Sequence, residues 1–145
     1  MSGEIRSHED LVVWKKSIDF VTKIYKITSE FPKAEIYGLS AQIRRAAISI
    51  PSNIAEGSGR RSLKEYIQFL YVSLGSVTEL ETQLMISRNL SLLKDDEIMN
   101  ELKEIKRMLI GLIHSLTKAK EIYTMIIKVS TKPEQWSLRK LNDEE

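Results

Sequence analysis

The sequence contains no cysteine among its 145 residues, so it can form no disulfide, thiolate metal site or cysteine nucleophile. Its two histidines, His8 and His114, are too few for most zinc or histidine-based catalytic sites. No apolar run approaches the roughly 20 residues needed to cross a bilayer, and the polar N-terminus lacks the apolar core of a signal peptide. We therefore expect a cytoplasmic protein that has no membrane segment, bound metal or cofactor.

The sequence also lacks a large excess of charge of either sign. The chain carries 22 lysines and arginines against 20 acids, and a formal charge of +2 is too small to indicate a nucleic-acid or membrane partner by itself. Hydrophobic residues make up 42% of the sequence, and a chain of this length can bury a core without metal or disulfide staples. The composition predicts one soluble domain.

Glycine and proline are scarce, with six and three residues, and their clustering leaves long uninterrupted stretches. Apolar residues recur in these stretches at the spacing of amphipathic helices. Sustained alternation of polar and apolar residues, which would indicate strands, is absent from the sequence. The pattern predicts an all-α, antiparallel up-down-up-down four-helix bundle in a domain spanning 1–132, followed by a polar tail at 133–145. The predicted helices cover about 10–30, 36–57, 62–89 and 95–129.

Several residues predict local features of these helices. Pro51 lies within the second apolar pattern and predicts a kink or a new helical turn, while Gly57 suits the position just beyond a helix end. Ser62 and Glu65 form a capping box at the start of the third helix. Gly75 lies in the middle of that helix, where a glycine predicts close approach of a neighbouring helix.

Two helices show distinctive apolar faces. The first helix has a stripe that we expect to be buried, formed by Trp14, Ile18, Val21 and Tyr25 and widened by Leu11, Phe20 and Ile24. The fourth has two apolar faces, which is typical of a helix shared between its own bundle and a neighbouring subunit. His114 in this helix is expected to be a partly buried packing residue.

The most distinctive segment is 42–64, which contains five bases and one acid and so has a net charge of +4. One interpretation is a phosphate-binding patch beside the start of the third helix, where free amides favour an anion. The other is a solvated basic loop in which one arginine of the pair at 44 and 45 forms an intramolecular salt bridge. The candidate nucleic-acid-binding residues are Arg44, Arg45, Arg60, Arg61 and Lys64.

The second and third helices also carry polar residues amid apolar neighbours. Carboxylates at Glu56, Glu79 and Glu81 could indicate a metal or acid–base site, but neither histidine supplies the Glu-x-x-His pattern of dimetal bundles. We therefore predict no metal site. The favoured interpretation is a structural polar network formed by these three acids with Arg45 and Asn53.

Aromatic residues beside the basic segment suggest a further hypothesis for RNA binding. Tyr66, Phe69 and Tyr71 could form a stacking surface for single-stranded RNA together with the neighbouring bases. Aromatic residues at helical spacing are more often packing residues, which is the expectation for Phe69 and Tyr66. The sequence Gly57-Ser58-Gly59 lacks the spacing and the preceding strand of a nucleotide-binding loop.

Six short segments carry a resemblance to a known family. They are Val12-Val13-Trp14, Ile24-Tyr25, Phe31-Pro32, Glu35-Ile36-Tyr37-Gly38-Leu39, the run QIRRAAISIPSNIAEG at 42–57, and Glu79-Leu80-Glu81-Thr82-Gln83-Leu84. The chain resembles the four-helix bundle proteins encoded in intervening sequences of bacterial 23S rRNA genes. It is also similar to the accessory variability proteins of diversity-generating retroelements.

The resemblance implies an antiparallel bundle that assembles as a ring-like homopentamer in the bacterial cytoplasm, with no established enzymatic activity. It also implies RNA or DNA as a partner, together with a reverse transcriptase or a ribosomal component. The leading hypothesis is a non-enzymatic oligomeric protein that binds RNA or a nucleoprotein through a basic surface. The alternative is a structural or protein-interaction scaffold without nucleic-acid affinity.

Overall fold

The computed structural model describes residues 7–131, which contain four α-helices and no strand. The helices are α1 (Val12–Ser29), α2 (Leu39–Ser58), α3 (Leu63–Asn89) and α4 (Glu97–Ser130), with short 3-10 turns at His8–Asp10 and Lys33–Glu35. Each helix packs on the next, and α1 also contacts α4, so the four helices close into an antiparallel bundle. This confirms the predicted fold class. The predicted tail at 133–145 lies outside the described residues.

The helix boundaries agree with the sequence prediction except at the start of α2 and at Pro51. Ser62 caps α3, because its Oγ accepts a hydrogen bond from the Glu65 backbone amide at 3.2 Å. The second helix begins at Leu39 rather than near residue 36, because the preceding residues form the separate 3-10 turn Lys33–Glu35. Pro51 starts no new element, since α2 continues through it to Ser58.

The core lies along the axis of the bundle and receives large apolar side chains from every helix. The side chains with almost no exposed surface include Phe20, Ile24, Ile43, Ile50, Ile54, Leu70, Leu80, Leu84, Leu102, Ile105 and Leu109. Their burial removes a continuous apolar surface from water, which is the main stabilising contribution in such a bundle. Along α4 this buried line ends at Ile113.

The buried face of α1 agrees only in part with the predicted stripe. Ile18 and Tyr25 remain 39% and 41% exposed. Phe20 and Ile24, which were expected to widen the stripe, are buried, and the line is completed by Val13, Ser17 and Thr28. Ser17 and Thr28 can be buried because their hydroxyls donate to backbone carbonyls of the preceding turn at 2.7 Å. Ser17 and Thr28 thus occupy core positions, whereas a prediction from hydropathy alone places apolar residues there.

The close helix contact that was expected at Gly75 occurs at Gly57. Gly57 lies within the last turn of α2, not beyond it, and it is the residue where α2 and α3 approach closely. A Cβ added there would lie 2.7 Å from Phe69 Cβ and 2.9 Å from Tyr66 Cδ2. Gly75 is exposed and would meet no atom within 4 Å, so the predicted close packing at that position is wrong.

The end of α4 has no cover from the rest of the described chain. Every residue at positions 121–130 is exposed, and six of them are large and apolar: Ile122, Tyr123, Met125, Ile126, Ile127 and Val129. His114 is also exposed, so its predicted packing role is wrong. None of the helices in residues 7–131 combines the length and hydropathy required to span a membrane.

Candidate nucleic-acid interface

Arg44 is bound to α1 by two contacts. Its Nε donates a hydrogen bond of 2.8 Å to the Thr28 hydroxyl, and its guanidinium lies 4.6 Å from the centre of the Tyr25 ring. Both contacts join α2 to α1, and a guanidinium stacked on an aromatic face is stabilised by the ring quadrupole. Arg44 therefore has an intramolecular role. The interpretation of this segment as a solvated loop expected such a role for one arginine of the pair, in a salt bridge. The partners of Arg44 are a hydroxyl and an aromatic ring, and not a carboxylate.

Arg60 is also engaged within the chain. It donates to the Glu56 carboxylate at 2.9 Å, and its guanidinium lies 4.8 Å from the centre of the Phe69 ring. Phe69 is half-buried, and the Arg60 guanidinium lies over its ring, where it would compete with a stacking RNA base. Tyr66 is likewise half-buried, and this burial raises the pKa of its phenol. Of the three aromatic residues considered for stacking, Tyr71 is the exposed one.

The other three candidate bases are exposed. Arg45, Arg61 and Lys64 form no hydrogen bond or ion pair through their side chains within residues 7–131. Arg61 and Lys64 lie on either side of the α3 start, whereas Arg45 lies 13 residues before the end of α2, about 20 Å along the helix axis at 1.5 Å per residue. The structure thus divides the bases between two places instead of one continuous patch.

The start of α3 is partly capped by its own residues. The Ser62 hydroxyl accepts from the Glu65 amide and donates to the Glu65 carboxylate at 3.2 Å. This capping occupies one of the amides that the sequence offered to an anion, and it adds a negative charge beside the helix start. Arg61 and Lys64 therefore supply the positive charge at this site.

The five residues predicted to form one polar network have separate surroundings. Asn53 donates to the backbone and hydroxyl oxygens of Ser49, and Glu56 binds Arg60. Glu79 accepts from Gln83 on the same helix, whereas Glu81 accepts from Lys106 of α4 at 3.2 Å. Arg45 joins none of these contacts. Among the described residues, no group of three His, Asp or Glu side chains is arranged to hold a metal ion.

The polar contacts between α2 and α3 come mainly from serines that the sequence reading did not single out. Ser76 donates to the Ser49 hydroxyl at 2.7 Å, and Asn53 donates to the same oxygen at 2.9 Å. Ser73, which is fully buried, donates to the Ile50 carbonyl at 2.8 Å. The spacing of Ser73 and Ser76, three residues apart on one face of α3, was the available signal, since small side chains allow helices to approach closely.

Ion pairs close the bundle between α1 and α4. Lys16 pairs with Glu104, and Lys23 donates to Glu101 at 2.7 Å. The hydrogen bond from Lys16 lowers the pKa of Glu104, while the bond to Glu101 raises the pKa of Lys23. Because these side chains are substantially exposed, water and salt weaken the pairs, and their main effect is on helix alignment.

Comparisons with known proteins agree with this architecture. A family model described as 23S rRNA-intervening sequence protein matches residues 9–111, which include all five candidate bases. The crystal structure of a protein of unknown function from the S23 ribosomal protein family of Bacteroides thetaiotaomicron aligns with a TM-score of 0.65 and 27% identity. The alignment covers 71% of this chain and 96% of that chain. A comparison with curated proteins gives no match.

Proposed function

The chain belongs to the 23S rRNA-intervening sequence protein family, and we propose that it is a non-enzymatic, cytoplasmic, homopentameric bundle that binds RNA, free or in a nucleoprotein, through basic side chains. The binding residues in this proposal are Arg61 and Lys64 at the α2–α3 junction, supplemented by Arg45 on α2. Arg44 and Arg60 contribute to the fold instead. The lack of cysteine and the presence of only two histidines in the sequence support a role without catalysis.

The exposure of three bases that have no side-chain partner among residues 7–131 is the observation on which the proposal rests. An arginine or lysine that forms no internal ion pair can exchange its counterion for a phosphate without first breaking a protein contact. Arg61 and Lys64 meet this condition three residues apart, and Arg45 meets it on the neighbouring helix. Arg60 does not meet it, because its bond to Glu56 would have to be given up.

Fluorescence anisotropy with a labelled, structured rRNA transcript tests the proposal. The triple variant R45Q/R61Q/K64Q should bind less tightly than the original protein at every salt concentration up to about 0.15 M. The loss should be similar for unrelated RNA sequences, because phosphate contacts carry no sequence information. An affinity unchanged by the triple substitution would contradict the proposed interface.

The matched control removes the same charge elsewhere. Lys15, Lys33 and Lys118 are exposed, and K15Q/K33Q/K118Q also lowers the net charge by three. If both triple variants lose affinity equally, net charge and not the α2–α3 junction governs binding. Circular dichroism melts of both variants should overlay that of the original protein, because all six side chains lie on the surface.

A protein-interaction scaffold without nucleic-acid affinity is the second candidate. It is favoured by the exposed apolar residues at the end of α4, because apolar patches of this kind typically mark protein interfaces. Ile122, Ile126 and Val129 recur there at helical spacing and would pack against another protomer in the proposed pentamer. No measurable RNA binding by an intact oligomer would favour this candidate over the first.

Sedimentation equilibrium tests the proposed assembly under both candidates. A homopentamer has five times the 16.7 kDa mass of the chain. A monomer mass at all accessible concentrations would rule out the ring. A stable dimer or tetramer would support self-association of the protein but contradict the proposed pentamer.

A further inference from the structure

A charged groove lies between the last turns of α3 and the first turns of α4, away from the α2–α3 junction. It has a volume of about 710 Å³ and opens to solvent. Its lining residues are Glu81, Met85, Arg88, Asp96, Met99, Asn100, Lys103, Lys106 and Arg107. None of the three bases in the proposed RNA interface lines it, so any role for this groove is independent of that proposal.

Four basic and two acidic side chains line this groove, so its net charge is positive. Both carboxylates are already neutralised, since Arg88 pairs with Asp96 and Lys106 donates to Glu81 at 3.2 Å. Lys103 and Arg107 are exposed and form no ion pair with any other residue in the described part of the chain. The charge left for a ligand is therefore positive and lies on α4.

The two bases that form no ion pair within the described residues have the spacing of one helical turn, and Arg107 also lies close enough to Glu104 to help lower the pKa of that carboxyl. Lys103 and Arg107 are four residues apart, which separates them by about 6 Å along the α4 axis. Acidic side chains four residues apart on a second helix have the same separation, so one can face each base. The groove therefore matches a helix that carries acids at this spacing better than it matches a single anion.

The apolar part of the groove comes from methionines. Met99 is 8% exposed and forms part of the floor, while Met85 on α3 is 44% exposed at its edge. Methionine adapts its shape to different apolar partners, and it is abundant on surfaces that bind amphipathic helices. No lining residue is aromatic, so a nucleic-acid base would find no ring on which to stack.

We propose that the α3–α4 groove binds an acidic amphipathic segment of a partner protein, with its carboxylates on Lys103 and Arg107 and its apolar side chains against Met85 and Met99. The charge balance and the methionines together favour this partner over RNA. Binding of this kind would make the protein an adaptor with two surfaces, one for phosphates and one for an acidic helix.

Three labelled probes test the groove by fluorescence anisotropy on the full-length protein. The first is a peptide of about 15 residues in which glutamates and leucines each recur four residues apart, long enough to form about four helical turns. The second replaces its leucines with glutamines, and the third is a single-stranded RNA of about 15 nucleotides. The leucine peptide should bind most tightly, because it alone presents both the acids and the apolar side chains.

Two variants assign binding to the groove. K103E/R107E should weaken the leucine peptide by about tenfold or more, because two attractive contacts become repulsive. The control K15E/K118E introduces the same change in net charge at exposed positions outside the groove and should bind the peptide within about twofold of the original protein. Met85→Gln should weaken the leucine peptide but not the glutamine peptide, which measures the apolar contribution separately.

Each of the remaining outcomes overturns the inference. Failure of the leucine peptide to bind the original protein would reject an acidic helix as ligand. Equal losses in K103E/R107E and K15E/K118E would show general electrostatic attraction. RNA binding that is lost in K103E/R107E while the peptides remain unbound would reassign the groove to phosphates. Circular dichroism melts establish that each variant is folded before it is compared.

Discussion

Replacing Gly57 with alanine adds one methyl group at a point where α2 and α3 are in contact. The new Cβ would lie 2.7 Å from Phe69 Cβ, 2.9 Å from Tyr66 Cδ2 and 3.2 Å from the Tyr66 carbonyl oxygen. The first and last of these atoms cannot turn away, because a Cβ is fixed to the backbone and the carbonyl is part of it. The substitution must therefore push α2 and α3 apart locally.

The magnitude follows from two opposing effects. Alanine favours a helix interior over glycine by up to about 1 kcal/mol, and Gly57 does not have a positive φ that would make alanine strained. Overpacking of a closely packed contact costs about 1–3 kcal/mol. With the full gain subtracted, we expect Gly57→Ala to reduce the free energy of unfolding by about 0–2 kcal/mol overall. The upper end of that range corresponds to a fall in Tm of several degrees for a domain of this size.

Gly75→Ala provides the matched control. Gly75 lies within α3, is exposed and has no atom within 4 Å of the added Cβ, so only the gain in helix propensity remains. It should stabilise the protein by about 0.5–1 kcal/mol. Urea unfolding followed by circular dichroism, at one fixed protomer concentration, measures both variants. If Gly57→Ala proves as stabilising as Gly75→Ala, the close approach of α2 to α3 is refuted.

Three further predictions concern side-chain contacts. Arg44→Gln should lower the free energy of unfolding by about 1–2 kcal/mol, because it removes a hydrogen bond and a cation–π contact to α1; urea unfolding checks it. The pKa of Glu104 is lowered in the folded protein, so its pair with Lys16 stabilises the fold above the ordinary value of 4.5 and is lost as the pH falls through the folded value. Lys16→Met should therefore lower the urea midpoint at about pH 7 but not at about pH 2, and equal losses at both would contradict the assignment. I122Q/I126Q should shift the sedimenting species to smaller mass without lowering the Tm of the dissociated protomer, because both side chains are exposed in the single chain.

The sequence was sufficient to predict the four helices because each depends on local signals. Ser62 and Glu65 indicate the start of α3, and the spacing of apolar residues in each segment indicates a helix and not a strand. The buried face of α1 was predicted less well, since Ser17 and Thr28 are buried by bonding to their own backbone. The roles of Gly57 and Gly75 depend on what lies opposite each residue, which the residue's own neighbours in sequence do not reveal.

The candidate interface was predicted in composition but not in arrangement. The sequence identifies five bases in one segment, yet α2 separates Arg45 from Arg61 along its axis. Arg44 is removed from the set by Tyr25 and Thr28, which come from a helix distant in sequence. The α3–α4 groove was missed for the same reason, because its four bases belong to two helices that come together only in the folded bundle.

The division of the five bases leads to a distinct salt dependence. Each phosphate contact on a single-stranded nucleic acid contributes about −0.7 to the slope of log affinity against log salt. R61Q/K64Q should therefore reduce the magnitude of the slope for single-stranded RNA by about 1.4 per protomer engaged. R44Q/R60Q removes the same charge but should leave the slope unchanged, because these arginines bind Thr28 and Glu56. Equal reductions would mean that RNA displaces these internal contacts, and the distinction between structural and binding arginines would then be wrong.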